Sequence, residues 1–178
     1  TEGYQNTFLT TLNMGNNTRL ETLDIRNCPK LTGSVNLSAC ENLINLYADK
    51  TAVTSVLFAN HGKITHASLP ETINTLTFKN LKDLTDLKVA GYDNLQTFVC
   101  QNSIIDALAI LKESIDTLRT VAITGINWNL DDTTLLKKLA KLAGIDDNGA
   151  TIEQSVLTGS VHVPVMRQQE YKEFVGTE

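Results

Sequence analysis

The sequence predicts an α/β solenoid: a coil with one parallel β-sheet face, extended rungs on the other face in its N-terminal part, and helices in its C-terminal part. Three observations predict it: an apolar pair in an x-L-x-L-x pattern recurs, its spacing is nearly constant, and helix-like segments begin only after residue 103. The pairs are Leu12/Met14, Leu23/Ile25, Val35/Leu37, Leu46/Ala48, Val56/Phe58, Ala67/Leu69, Leu76/Phe78, Leu87/Val89 and Phe98/Cys100, at steps of 11, 12, 11, 10, 11, 9, 11 and 11 residues. Such regularity indicates a chain that returns to the same place after a fixed length.

Alternation within each pair sets the direction of its side chains. Successive strand residues point to opposite faces, so both residues of a pair point into a core and the residue between them points outward. A rung of 11 residues cannot close a coil, but two rungs, about 22 residues, make one turn with a strand on each side. We therefore expect a first face with one parallel sheet from residues 12–14, 35–37, 56–58, 76–78, 98–100, 121–123 and 161–163, stacked in that order. The second face collects Leu23, Leu46, Ala67 and Leu87.

The second face changes character after Ser103. Residues 104–111 (IIDALAIL) are predicted to form a short helix. Its apolar residues are Ile105, Leu108, Ala109 and Leu111. A clearer helix follows, which Asp131 or Asp132 can cap and which Gly144 ends.

An exact internal repeat marks the C-terminal part. Residues 157–161 (LTGSV) repeat residues 31–35, so Val161 is expected to rejoin the first face. We predict a single domain over residues 1–178, with short extended rungs over 9–103 and helix-containing repeats over 104–178. No polar cap is evident at the C-terminal end and the chain does not begin with Met, so we expect it to be part of a longer polypeptide.

Composition excludes two classes of partner. The chain has 178 residues and a formal net charge of -5, without a basic cluster. Phosphate contacts need Lys and Arg, so nucleic acid is not an expected partner. No run of about 18 apolar residues occurs, so membrane insertion is not expected either.

The repeats resemble a known family. Residues 20–40 (LETLDIRNCPKLTGSVNLSAC), 73–89 (INTLTFKNLKDLTDLKV), 123–149 (ITGINWNLDDTTLLKKLAKLAGIDDNG) and 156–165 (VLTGSVHVPV) carry the resemblance. They are similar to leucine-rich-repeat segments in tail and baseplate-associated proteins of gut bacteriophages and in related gut-bacterial surface proteins. The resemblance implies a non-catalytic module of a larger virion or surface protein.

The residues offer no enzymatic constellation. The motifs HExxH and GxSxG, a P-loop and a Rossmann GxGxxG are all absent from the sequence. The three cysteines, Cys28, Cys40 and Cys100, include no CxxC pair and are interpreted as buried and unpaired. The acidic segments at 131–132 and 146–149 lack the spacing of a calcium loop. We therefore expect no catalytic residue, no metal and no cofactor.

Outward side chains are the remaining candidates for binding. On the first face we single out Leu57, Thr77, Lys79, Val99, Gln101 and Ala122. Leu57, Val99 and Ala122 are expected to be exposed apolar residues, which can mark a contact patch. On the second face, Asp24, Arg26, Tyr47, Asp49 and Lys88 are expected to form a mixed polar row.

Three functions are compared. The first is a structural or adhesion module of a phage tail or baseplate protein, located in the virion, that contacts other virion proteins or a host-surface receptor. The alternative is a ligand-binding leucine-rich-repeat module at a bacterial cell surface. The third, a polysaccharide-cleaving solenoid, needs paired carboxylates and aromatic platforms, whereas aromatic residues make up only 6% of this chain.

Overall fold

The computed structural model describes residues 5–124, which form a parallel β-solenoid. Its strands are β1 (Thr22–Asp24), β2 (Thr32–Leu37), β3 (Asn45–Tyr47), β4 (Ala52–Phe58), β5 (His66–Leu69), β6 (Thr75–Lys79), β7 (Asp86–Val89), β8 (Thr97–Gln101) and β9 (Thr120–Thr124), and helix α1 (Ala107–Ser114) lies between β8 and β9. Consecutive strands alternate between two sheets up to β8. The chain therefore winds as a coil, with one strand on each side in every turn.

Two parallel sheets form the two faces. Sheet 1, the first face, has the order β2-β4-β6-β8-β9, and sheet 2, the second face, has the order β1-β3-β5-β7. In sheet 1, Val56 is in register with both Val35 and Leu76. In sheet 2, Leu46 is in register with both Leu23 and Ala67. The pairing thus joins rungs that lie one full turn apart.

The predicted stacking of the first face is confirmed for five of its seven segments, from 35–37 to 121–123. Residues 12–14 form no strand, although Leu12 and Met14 pack against the core and Thr32 N donates to Thr10 O over 3.3 Å. Residues 161–163 lie outside the described residues. The prediction of a single parallel sheet was wrong, because the extended rungs of the second face stack at the same regular spacing and pair into a second parallel sheet.

The core lies between the two sheets and is filled by the predicted apolar pairs. A row of phenylalanines runs along it on the side of sheet 1: the ring centroids of Phe58 and Phe78 are 5.8 Å apart, and those of Phe78 and Phe98 are 6.4 Å apart. Phe78 and Phe98 are fully buried, and each aromatic pair adds about 0.5–1.5 kcal/mol to the stabilisation from area alone. A further apolar residue lies three or four positions before each pair from Val35/Leu37 onward. These are Leu31, Leu43, Val53, Ile64, Ile73, Leu84 and Leu95, all buried.

Polar side chains order the turns that leave sheet 1. Asn80 and Asn102 have φ values of 54° and 47°, in the left-handed region that asparagine tolerates. Asn80 Nδ2 donates to Asn60 Oδ1 over 2.8 Å, and Asn102 Nδ2 donates to Asn80 Oδ1 over 3.3 Å. Equivalent turns are therefore hydrogen-bonded to each other through their side chains.

Helix α1 begins three residues later than the sequence predicted. The Asp106 side chain accepts a hydrogen bond from Ala109 N, so it caps the helix, and Ile104 before it is 59% exposed. The buried residues of α1 are Ala107, Ile110, Leu111 and Ser114. Of the predicted apolar residues, Leu111 is buried whereas Ala109 is exposed, because Ala109 lies off the face on which the buried residues recur every three or four positions. The helix expected between Asp131 and Gly144 lies outside the described residues.

Candidate functional site

The outward residues of sheet 1 form a single row across all five strands. Asn36 is in register with Leu57, Leu57 with Thr77, Thr77 with Val99, and Val99 with Ala122. Neighbouring strands lie about 4.8 Å apart, so the side chains at these paired positions are immediate neighbours. Four of the six residues singled out from the sequence therefore belong to this row, which we call the contact row.

The other two candidates lie beside the contact row. Lys79 and Gln101 are paired two residues further along β6 and β8. Lys79 is exposed and Gln101 is half-buried. On the opposite side, Ser55, Thr75 and Thr97 form a hydroxyl-bearing row. Polar groups therefore border the apolar members of the contact row on both sides.

Exposure along the contact row is uneven. Leu57 is 45% exposed, as expected, whereas Val99 and Ala122 are half-buried and not fully exposed. These short side chains lie on strands flanked by neighbours, which shield them. Ala59, which follows Leu57 by two residues, is only 5% exposed, because β4 ends at Phe58 and the chain turns there.

A different arrangement covers the outside of sheet 2. Arg26 Nη2 contacts Asp24 Oδ2 at 2.6 Å, and the guanidinium carbon lies 4.9 Å from the centroid of the Tyr47 ring. The Tyr47 ring is 4.8 Å from that of His66, and His66 Nδ1 lies 2.8 Å from Asp86 Oδ2. These contacts connect β1, β3, β5 and β7 in sequence, and we call them the cross-strand network.

Two further contacts complete the cross-strand network. Ser68 Oγ donates to Asp49 Oδ2 over 2.7 Å, and Lys88 Nζ lies 3.5 Å from Asp86 Oδ2. The sequence placed Asp49 and Lys88 in a mixed polar row but did not include His66 or Asp86. Their position in the repeat could have indicated this contact, because His66 and Asp86 both occupy the first outward place of a sheet 2 rung, 20 residues apart.

Electrostatics on this face follow from the pairing. The hydrogen bonds from Arg26 hold the pKa of Asp24 below its ordinary value, and the carboxylate in turn raises the pKa of Arg26. The hydrogen bond with His66 lowers the pKa of Asp86, and the charge of Lys88 acts in the same direction. Both carboxylates are therefore ionised at neutral pH and already matched by neighbouring groups.

The cross-strand network does not have the arrangement of a hydrolytic site. His66 and Asp86 resemble the base and orienting carboxylate of a catalytic triad, which also needs a nucleophile on the second imidazole nitrogen. Among the described residues, His66 Nε2 is buried and has no hydrogen-bond partner. No hydroxyl or thiol of this part of the chain is therefore placed to transfer a proton to it.

The cysteines are equally unsuited to nucleophilic chemistry. Cys28, Cys40 and Cys100 are buried and free, and burial raises the pKa of Cys100 to about 11. The thiolate is the reactive form of a cysteine, so little reactive Cys100 exists at neutral pH. Within residues 5–124, no group of three or more His, Cys, Asp or Glu side chains could hold a metal ion. The acidic segments at 131–132 and 146–149 lie outside the described residues.

Comparison of the chain with protein-family models, with curated proteins and with solved structures gives no match. Within the described residues, no helix is both long and apolar enough to cross a membrane.

Proposed function

We propose that this chain is a non-catalytic binding module, and that the outside of sheet 1 is its contact surface. The observation that supports the proposal most directly is the register of the contact row, which brings Leu57, Thr77 and Val99 together on three neighbouring strands. Because these residues come from different turns, the row exists only in the folded coil. It is presented on strands whose backbone is already hydrogen-bonded.

The composition of the surface suits a protein partner. An interface needs an apolar centre with a polar rim, and Leu57 and Val99 supply the centre here. The hydroxyl-bearing row and the Lys79–Gln101 pair supply the rim. A rigid sheet loses little conformational entropy on binding, so more of the burial free energy remains as affinity.

The setting we propose follows the family resemblance. The coil is of the leucine-rich-repeat kind, and the module belongs to a tail or baseplate protein of a phage virion. Its partners are other virion proteins or a host-surface receptor. Display at a bacterial cell surface is the alternative, and mass spectrometry of purified virions and of cell-envelope fractions distinguishes the two locations.

Site-specific photo-crosslinking tests the contact surface. A photoreactive amino acid at position 99 should crosslink to a partner when the parent protein is in its native assembly. The same amino acid at position 22, an exposed outward site on sheet 2, is the matched control. Crosslinking from position 22 but not from position 99 would show that the contact surface was assigned to the wrong face.

A paired substitution measures the contribution of the row to binding. Val99→Glu places a charge at the centre of the contact surface and should weaken assembly. Thr22→Glu adds the same charge on the opposite face and should leave assembly unchanged. Circular dichroism of both variants controls for folding. Equal assembly in the two variants would contradict the proposal, as would release of reducing ends from a panel of polysaccharides by the purified chain.

A further inference from the structure

Strand β7 has a free edge among the described residues. It pairs with β5 on one side, where Asp86 N donates to Thr65 O and Ala90 N donates to Leu69 O. Successive residues of a strand in a parallel sheet direct their backbone groups to opposite sides. The N–H and C=O groups of Leu87 and Val89 therefore point away from β5, toward the next turn of the coil.

Helix α1 lies in that next turn, in which no described residue forms a strand of sheet 2. It leaves a cavity of about 360 Å³ between itself and the edge of β7. The cavity is lined by Leu84, Thr85, Leu87, Tyr92, Ile104, Ile105, Asp106, Ala109 and Ile110. Its wall is mainly apolar, and it opens beside Ile104, which is 59% exposed. Backbone hydrogen-bonding groups and an apolar cavity thus lie side by side.

The free edge of β7 and the cavity beside α1 together form a slot, and the charge around this slot is acidic. Asp106 is the one charged residue among the described residues that line the cavity. Apart from the Asp86–Lys88 pair, residues 82–116, which include β7 and α1, contain five carboxylates and two lysines. The slot therefore favours a cationic occupant.

We propose that the slot between β7 and α1 captures an extended, basic segment of a partner protein by β-strand addition. The segment hydrogen-bonds to Leu87 and Val89, inserts one apolar side chain into the cavity, and places a Lys or Arg near Asp106. Backbone bonds give such a complex affinity, and pockets for alternate side chains give it specificity. This surface lies on the opposite side of the coil from the contact row and does not depend on its function.

Two synthetic peptides test the proposal with the full chain. The probe is a heptapeptide in which lysine alternates with valine, and its control has glutamate in place of lysine. Isothermal titration should detect binding of the lysine peptide, with an affinity that falls as salt is added. The glutamate peptide should bind more weakly. Equal binding of the two peptides, or no binding of either, would overturn the proposal.

Two variants locate the bound peptide. Ala109→Trp fills the cavity from an exposed position of α1 and should abolish binding of the lysine peptide. Asp106→Asn removes the charge but keeps a good helix cap, and should weaken binding about two- to fivefold, the effect of an exposed ion pair. Thr22→Glu, on the far edge strand of sheet 2, is the folding-matched control and should bind as the wild type does.

Hydrogen exchange supplies an independent readout. The amides of Leu87 and Val89 should exchange quickly in the free chain and slow at least about tenfold with saturating lysine peptide, as newly hydrogen-bonded amides do. Slow exchange of both amides in the free chain would mean that another part of the same polypeptide already covers the edge, and this would overturn the proposal. Binding that survives Ala109→Trp would overturn it as well.

Discussion

Truncation of Phe78 should be the most damaging single change in the phenylalanine row. Phe78 is fully buried and contacts a ring in each adjacent turn, whereas Phe58 is 8% exposed and, among the described residues, contacts one other ring, that of Phe78. Replacing a buried phenylalanine by alanine costs about 3–5 kcal/mol. The second aromatic contact adds about 0.5–1.5 kcal/mol. We therefore expect Phe78→Ala near the top of that range, and Phe58→Ala about 1 kcal/mol below it.

Urea denaturation followed by circular dichroism measures this difference. Phe8→Ala is the control: Phe8 is 87% exposed, so its loss should change the free energy of unfolding by less than about 0.5 kcal/mol. If Phe58→Ala cost as much as Phe78→Ala, a packing argument based on contacts between adjacent turns would be refuted. Loss of stability in Phe8→Ala would contradict its assignment as a surface residue.

Three further outcomes are expected. The folded-state pKa of Asp86 lies below its ordinary value of 3.8. The stability that ionised Asp86 gives the folded protein is therefore present above about pH 4 and is lost as the pH falls through the folded pKa. Between pH 7 and pH 3, the free energy of unfolding should fall less in Asp86→Asn than in the wild type. All three thiols should react with a thiol reagent only after denaturation without reductant, and two missing thiols would reveal a disulfide. Asp106→Ala should cost about 1 kcal/mol in a urea titration while Asp106→Asn should cost little, and an equal loss in both would argue against the cap.

The regular part of the fold was predictable because it depends on local pattern. Alternation and a fixed turn length were enough to place Val35, Val56, Leu76 and Phe98 in one stack. The pattern fails where a turn is irregular. Sheet 1 changes register between Gly33, at φ 82°, and Ser34, and no feature of the apolar spacing indicates that change.

The start of α1 shows a second limit. Ile104 and Ile105 continue the apolar spacing, so the sequence alone favoured a helix from 104. The hydrogen bond that Ala109 N donates to the Asp106 side chain instead starts the helix at Ala107. The position of the capping side chain, and not the apolar pattern, therefore sets the first residue of the helix.

The candidate surfaces also differ in how far the sequence predicts them. The contact row was predictable, since alternation alone identifies outward positions. The contact of His66 with Asp86 needs the exact register of β5 against β7, which spacings that vary from 9 to 12 residues do not fix. The slot beside β7 was not predictable from periodicity, because it arises where the periodicity stops.

The replacement of a strand by α1 also affects the curvature of the coil. A helix with its side chains is about 10 Å wide, whereas neighbouring strands are only about 4.8 Å apart. At this turn β8 and β9 stay paired on one side of the coil, while α1 follows β7 on the other side. Successive turns are therefore expected to lie further apart on the side of sheet 2 than on the side of sheet 1. We therefore expect the axis of the coil to bend toward sheet 1 at this turn. Val99 and Ala122 then lie on the inner, concave side of the bend, and a partner that fits them closely has a convex surface.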